Sequence, residues 1–340
     1  MIKPTLLEDV IHMKHGAGGR AMRALIEGVF LEGVEGGEAA LMDDGAAIPF
    51  GDQWLVVTTD AHVIKPIFFP GGDIGRLAVS GVVNDLAMMG ATEVLALTSS
   101  VILEEGFPIE LLRRVKASMH ATSREASAPV LTGDTKVMGR GEVDGIVMST
   151  SGLGVARRVV RDAGLKLGDA IVINGTIGDH GLAVMSVRHA LGLEGALCSD
   201  VAPLNGLVRA ALEAGGEAVH AMKDPTRGGV TSALAEMAEK AGVSVVLDES
   251  TLPMSDAARA AADLLGVDPL GVANEGKALF GVAPDALDRV LAAMRAHPLG
   301  ARATCIGKVV DGARGTLLLD TGFGHRRLFE RDGEPLPRIC

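Results

Sequence analysis

A chain of 340 residues that is 48% hydrophobic and carries 45 glycines can form two domains with real cores, and its composition is that of an α/β enzyme rather than a fibrous or disordered protein. A formal net charge of -11, no tyrosine and a single tryptophan exclude the basic face and the stacking platforms that nucleic-acid binding needs. Acidic residues in this excess can instead hold hard cations.

The first residues, Met1 to Asp9, lack the apolar core of a signal peptide, so a cytoplasmic protein is expected. Trp54 to Asp60 reads as a strand, Ile74 to Met89 as a helix, Glu93 to Leu103 as a strand and Pro108 to Arg124 as an amphipathic helix. Short β-rich runs follow at Pro129 to Asp134 and Gly145 to Val155. The long apolar stretch from Leu77 to Leu103 is interrupted by Asn84, Asp85, Gly90 and Glu93, and is better explained by a buried helix and strand than by a membrane span. A basic, glycine-ended connection runs from Arg157 to Gly164, and Asp169 to Asn174 starts a second set of elements. That set has helices near His180 to Leu191, Pro203 to Glu213, Val230 to Ala241 and Asp285 to His297. Its strands lie near Val243 to Leu247, Ala303 to Val310 and Thr316 to Leu319. Two α+β domains are expected, 1–155 and 165–331, followed by a mobile tail, 332–340.

The three cysteines are widely scattered and form no C-x-x-C pair, which argues against a disulfide framework or a zinc site. Cys198 and Cys305 are expected to be buried small apolar residues. Cys340 is different, because it is the last residue. The segment that delivers it, Gly333 to Cys340, contains Pro335 and Pro337, which remove backbone donors and hold the chain extended. Free of the body from Asp332 onward, about nine residues would reach roughly 28 Å. Few apolar residues are present to anchor it. A prenylation signal is excluded, since nothing follows the cysteine.

Several aspartates stand where strands end or glycines turn the chain: Asp43-Asp44-Gly45, Thr59-Asp60, Asn84-Asp85 and Gly133-Asp134-Thr135-Lys136. Carboxylates on adjacent strand ends can converge, and oxygen-only ligands select Mg2+ or Ca2+ over zinc. Asp85 lies in an otherwise apolar helix, where a buried carboxylate is costly unless paired or cation-bound. Lys136, close to Asp134, suits a metal-bound polyphosphate. A local ion pair is the simpler alternative. The run Gly271 to Ala278, which includes Asn274, Glu275 and Lys277, nearly spells a P-loop. Ala278 replaces the magnesium-binding Ser/Thr, however, and no clear strand precedes it. Glycine clusters at His15 to Arg20, Phe68 to Asp73 and Asp224 to Gly229 could let backbone amides approach phosphate. His15, His62 and His180 read as turn or packing residues.

Taken in order, HGAGGR at His15, DDGA at Asp43, FFPGGDIG at Phe68, NDLAMMGA at Asn84, GDTKV at Gly133, GDHG at Gly178, DPTRGG at Asp224, ANEGK at Ala273 and the terminal PRIC resemble the HypE family of hydrogenase maturation proteins. That family lies within the PurM-like superfamily of ATP-dependent enzymes, and the likeness spans nearly the whole chain. It implies a two-domain PurM-like fold and a homodimer that pairs through its N-terminal sheets, with ATP and Mg2+ on an aspartate-rich face. It also implies a reaction, in which HypF carbamoylates the terminal cysteine and ATP-dependent dehydration turns the thiocarbamate into a thiocyanate. The cyano group then passes to iron on the HypC–HypD complex, as a cyanide ligand of [NiFe] hydrogenase. Carried onto this chain, the resemblance makes Cys340 the carrier and Lys136 and Glu275 candidates for moving protons and phosphate. It puts ATP on Asp60, His62, Gly133, Lys136, Asp224 and Asn274, and metal on Asp44, Asp60, Asp85 and Asp134. Two departures are Lys223, where Arg is expected before DPTRGG, and Ala61 after Asp60. A selenophosphate synthetase would need a reactive Cys in the first glycine loop, and there is none. A non-catalytic carrier with a vestigial ATP site is the rival of a different class.

Overall fold

A computed structural model describes residues 9–34, 36–193, 195–330 and 338–340. The signal-peptide reading of Met1 to Glu8 and the extended run Gly333 to Pro337 lie outside the described residues.

Helix α1 (Gly19–Leu25) follows the first glycine cluster, and strand β1 (Ala46–Phe50) pairs with β2 (Gln53–His62). A small hairpin of β3 (Phe68–Phe69) and β4 (Gly72–Asp73) delivers Asp73 to the start of α2 (Ile74–Met88). There its carboxylate accepts the Gly75 and Arg76 amides at 2.8 and 3.0 Å, an N-cap that fixes where the helix begins. Next come β5 (Glu93–Glu104), α3 (Ile109–Glu125), β6 (Val130–Met138) and β7 (Ile146–Ala156). The first sheet has the order β1-β2-β7-β5-β6; β5 and β6 run parallel and the other neighbours antiparallel. Along β7 buried and half-buried residues alternate, the mark of a sheet covered on one face. α2 supplies that cover and has no polar stripe, because it is enclosed by β2 and β7, by α3 and by a helix of the second half. β6 is an edge strand, and Leu131 and Val137 on it are exposed.

The second half contains β8 (Ala170–Ile173), α4 (Asp179–Arg188), α5 (Asn205–Gly215), β9 (Val219–Lys223), α6 (Gly229–Ala241), β10 (Ser244–Asp248) and α7 (Asp256–Leu265). It ends with β11 (Leu279–Val282), α8 (Leu287–Ala296), β12 (Thr304–Val310), β13 (Thr316–Asp320) and β14 (His325–Leu328). Seven strands form the order β14-β13-β10-β12-β8-β11-β9. β8 and β11 are buried on both faces, so their sequences are continuous apolar runs without alternation. α6 packs in the core on one side of this sheet, α5 and α8 in the core on the other. Two sheets, each with helices packed on it, give the mixed α+β halves that were expected.

Three expectations need correction. The helix after His180 stops at Arg188, where Ala190 adopts a positive φ of 51°. Cys198 is exposed and Cys305 half-buried, since neither sits on an inward-facing position of a core element. The tail was expected to have little to bury, yet Ile339 is 1% exposed and belongs to the N-terminal core. Among the described residues, no helix is long and apolar enough to cross a membrane.

Candidate active site

The ends of β1, β2 and α2 meet the loops after β9 and before β11 around a cavity of about 480 Å3. Asp44, Asp60, Asp85, Asp224, Glu275 and Cys340 all line it. Asp44 precedes β1, Asp60 is near the end of β2, and Asp85 projects from α2 where its Oδ2 accepts the Thr58 hydroxyl at 3.0 Å. Gly81 lies one turn before Asp85, and a Cβ there would sit 2.9 Å from His62 Nε2 and 3.3 Å from Asp60 Oδ2. Only glycine lets β2 lie this close to the helix.

The carboxylates differ sharply in acidity. Burial, then Asp224, Asp60 and Asp44, push Asp85 well above the usual range. Burial and Asp44 raise Asp224 to about 8 against the pull of Lys223. Asp44 is also raised, by burial first, although Lys223 opposes this. For Asp60 burial works the same way, but the His62 ring, Arg227 and the Ala61 N–H outweigh it and hold the carboxyl down at about 2. Glu275 is 3% exposed, and burial followed by Asp224, Asp60 and Asp200 pushes it far up. Its Oε1 is buried without a hydrogen-bond partner among the described residues. Asp85, Asp224 and Glu275 are each raised by neighbouring carboxylates, and an orphaned oxygen lies among them, so this part of the wall would gain from a bound cation. The donor set is all oxygen, the kind that suits a hard divalent cation such as Mg2+ or Ca2+. Among the described residues, no three His, Cys, Asp or Glu side chains are close enough together to form a ready metal cluster.

Glu275 is placed by its backbone. Its N–H donates to Asp200 Oδ1 at 3.0 Å, and its C=O accepts from Asn84 Nδ2 at 3.3 Å and the Ala202 N–H at 3.4 Å. At Gly276 a Cβ would fall 1.8 Å from the Asp200 carbonyl, so the loop can lie against 200–202 only with glycine there. Lys277 points away from the cavity and pairs with Asp200 at 2.7 Å, and the segment enters strand β11, not a helix. The P-loop likeness is therefore superficial.

The other residues singled out by sequence lie elsewhere. Asn274 is fully buried; its Oδ1 accepts the Gly178 N–H at 2.7 Å while Nδ2 donates to the Pro225 and Val272 carbonyls. His62 is buried behind Asp60, with Nε2 3.2 Å from Oδ2. Gly133 lies on β6, where a Cβ would meet the Ser99 carbonyl at 2.3 Å. Asp134 and Lys136 pair at 2.9 Å on this same edge strand, with side chains 60% and 69% exposed, and neither lines the cavity of its own chain.

Sequence reasoning missed the basic floor. Lys223 donates to Asp44 Oδ1 at 2.7 Å and lies 3.4 Å from Asp162; Lys240 contacts Asp162 at 2.7 Å; and Arg161 reaches Asp43 at 2.6 Å and Glu38 at 2.8 Å. Arg161 and Asp162 had read as part of a plain connection. Their only sequence signal is opposite charge beside a glycine, which gives no partner. The first glycine cluster also reaches the cavity, through Gly18 and Gly19.

The AIR synthase related protein models match this chain, the N-terminal domain over residues 42–156 and the C-terminal domain over 166–320. A carbamoyl dehydratase HypE of Rhizobium leguminosarum bv. viciae is 47% identical over 333 residues, 97% of this chain and 95% of its own length. The crystal structure of a HypE–HypF complex contains a chain that superposes with a TM-score of 0.85 at 42% identity, covering 91% of this chain and 100% of that one. The hydrogenase maturation protein HypE in complex with ATP gives a TM-score of 0.82 at 38% identity, over 96% and 99% of the two chains. With family models over most of its length and near-full-length relatives at this identity, the chain belongs to the AIR synthase related family and, within it, to the HypE proteins.

Proposed function

We propose that this protein is an ATP-dependent carbamoyl dehydratase that converts an S-carbamoyl group on Cys340 into a thiocyanate, supplying the cyanide ligands of [NiFe] hydrogenase iron. The observation that carries this is the position of Cys340 in the wall of the cavity that holds Asp60, Asp85, Asp224 and Glu275. The thiol thus borders the same space as the acidic groups that the reaction would use.

The carbamoyl oxygen attacks the γ-phosphorus of ATP while a base removes one proton from the amide nitrogen, giving ADP and an O-phosphorylated thioimidate. Loss of the second N–H proton expels phosphate and leaves S–C≡N. The oxygen departs in phosphate, so the net change on the chain is loss of one water. Of Lys136 and Glu275, Glu275 is the base this reading favours: it borders the cavity that Cys340 also lines, its Oε1 has no hydrogen-bond partner among the described residues, and its raised pKa makes its carboxylate a stronger base than an exposed glutamate. Asp44, Asp60, Asp85 and Asp224 would hold Mg2+, which when bound supplies charge neutralisation for the phosphates. Arg227 and the Gly18–Gly19 backbone border the same space and suit phosphate oxygens.

Asp134 and Lys136 fit this scheme through a homodimer. They lie exposed on an edge strand, free to face a second copy if two N-terminal sheets pair, and in this reading they serve that copy's cleft. The working division is 1–155 for ATP, metal and dimerisation, 165–331 for the second domain, and 332–340 as the carrier segment. HypF is the carbamoyl donor and the HypC–HypD complex the cyano acceptor. The proposed compartment is the cytoplasm, where a carrier thiol stays reduced.

The test is the stoichiometry of ATP use. Chain carbamoylated on Cys340 should release one ADP and one phosphate per thiol, and unmodified chain should release almost none. Equal ATP hydrolysis with and without the carbamoyl group would reject the coupling. No turnover in either case would leave a carrier.

A further inference from the structure

The last three residues are held from several sides. The Lys65 and Val63 amides, just beyond β2, donate to the Arg338 and Cys340 carbonyls at 3.3 and 3.2 Å, which is an antiparallel register. Arg338 in turn donates from Nε to the Val63 carbonyl at 2.9 Å and pairs with Asp144. Arg188 of α4 reaches the Arg338 carbonyl. This leaves the Ile339 carbonyl, which points away from residues 63–65 and sits 2.7 Å from His180 Nε2.

His180 is fully buried, edge-on to Phe69 with ring centroids 5.4 Å apart. Its other nitrogen, Nδ1, lies 2.7 Å from Ser199 Oγ, which already accepts the Val201 N–H at 3.1 Å. The Ile339 carbonyl can only accept, so the proton of the neutral ring sits on Nε2, facing the tail, and Nδ1 accepts from the Ser199 hydroxyl. Burial, the largest influence, lowers the His180 pKa and keeps the ring neutral, as this tautomer requires.

We propose that His180, oriented by Ser199, is a positioning residue that latches the Arg338–Cys340 tripeptide in the cleft and fixes the register in which the thiol is presented to Glu275. The inference rests on Cys340 being the carrier. Ile339 in the core, Cys340 packed against it, the Arg338 ion pair and a few hydrogen bonds make a latch that fixes the register and, being this small, still lets the tail leave for a partner.

Hydrogen exchange of the peptide containing Val63 and Lys65 reads the latch without any chemistry. A chain ending at Pro337 gives the undocked rate. His180→Phe should exchange about tenfold faster than wild type, approaching that reference. His180→Gln, which keeps a donor, should fall between them. β7 peptides must stay protected, which reports an intact fold; if His180→Phe fails this control, Ser199→Ala carries the same expectation at smaller size. His180→Phe should also accept the carbamoyl group from HypF at least as fast as wild type while dehydrating it more slowly, a split that general damage would not give. Wild-type protection in His180→Phe, or no difference between full and shortened chains, overturns the latch. Lost protection with normal dehydration overturns its role in presenting the thiol. Failure of wild type to lose water would reject the proposed function without altering the exchange pattern.

Discussion

Asn84 joins the two halves of the molecule, and its removal should be costly. The side chain is 2% exposed and meets three backbone groups: Nδ2 donates to the Ala202 carbonyl at 3.1 Å and the Glu275 carbonyl at 3.3 Å, and Oδ1 accepts the Leu204 N–H at 2.8 Å. In Asn84→Ala the Glu275 carbonyl keeps the Ala202 N–H, while the other two groups lose these bonds. At about 1–3 kcal/mol for each buried group left unpaired, the expected loss is about 2–6 kcal/mol. That is a large part of a typical total of about 5–15 kcal/mol. The assay is a urea titration followed by circular dichroism. Because the same amide holds the Glu275 loop, single-turnover dehydration measured where the variant is still folded should be slowed as well. A stability loss below about 1 kcal/mol would refute the reasoning.

Three further outcomes are expected. Glu275→Gln should still accept the carbamoyl group but dehydrate it at least ~100-fold more slowly, measured by quenched-flow mass spectrometry. Lys136→Ala and Glu275→Gln chains, each inactive alone, should recover roughly a quarter of wild-type activity after subunit exchange if Lys136 serves the partner's cleft, because half the dimers are mixed and each holds one complete site. His180 has a folded pKa below its ordinary value of 6.5, so the unfolded chain binds more protons as pH falls below about 6.5. Stability should therefore fall with acidification through that window, and thermal melts of His180→Phe should show a shallower slope.

How much of this was legible in the sequence depends on the reach of each signal. α2 was readable because its enclosure leaves a near-continuous apolar run broken by Asn84 and Asp85, and β2, β5 and β7 were readable from their β-branched content. β9 and β11 were missed, because each is a four- or five-residue strand with no alternation, indistinguishable from any short apolar segment. Asp44, Asp60, Asp85, Asp224 and Glu275 were picked out one by one and do share a cavity. Lys223 was noticed only as a departure from pattern, although it anchors Asp44, since a salt bridge across 179 residues leaves no local trace. The tail was read from its prolines as unanchored. A single isoleucine, a histidine 159 positions away and contacts with Val63, Lys65, Asp144 and Arg188 supply the anchor, and none of these is distinguishable by composition.

The central claim is that dehydration occurs on Cys340. It is tested most directly by the intact mass of the chain after treatment with HypF, carbamoyl phosphate and ATP, and again after HypF is removed and ATP with Mg2+ is added, alongside Cys340→Ala. We expect a carbamoyl adduct that then loses one water, with neither change in the variant. An adduct that ATP and Mg2+ leave unaltered would contradict the claim and make the protein a carrier.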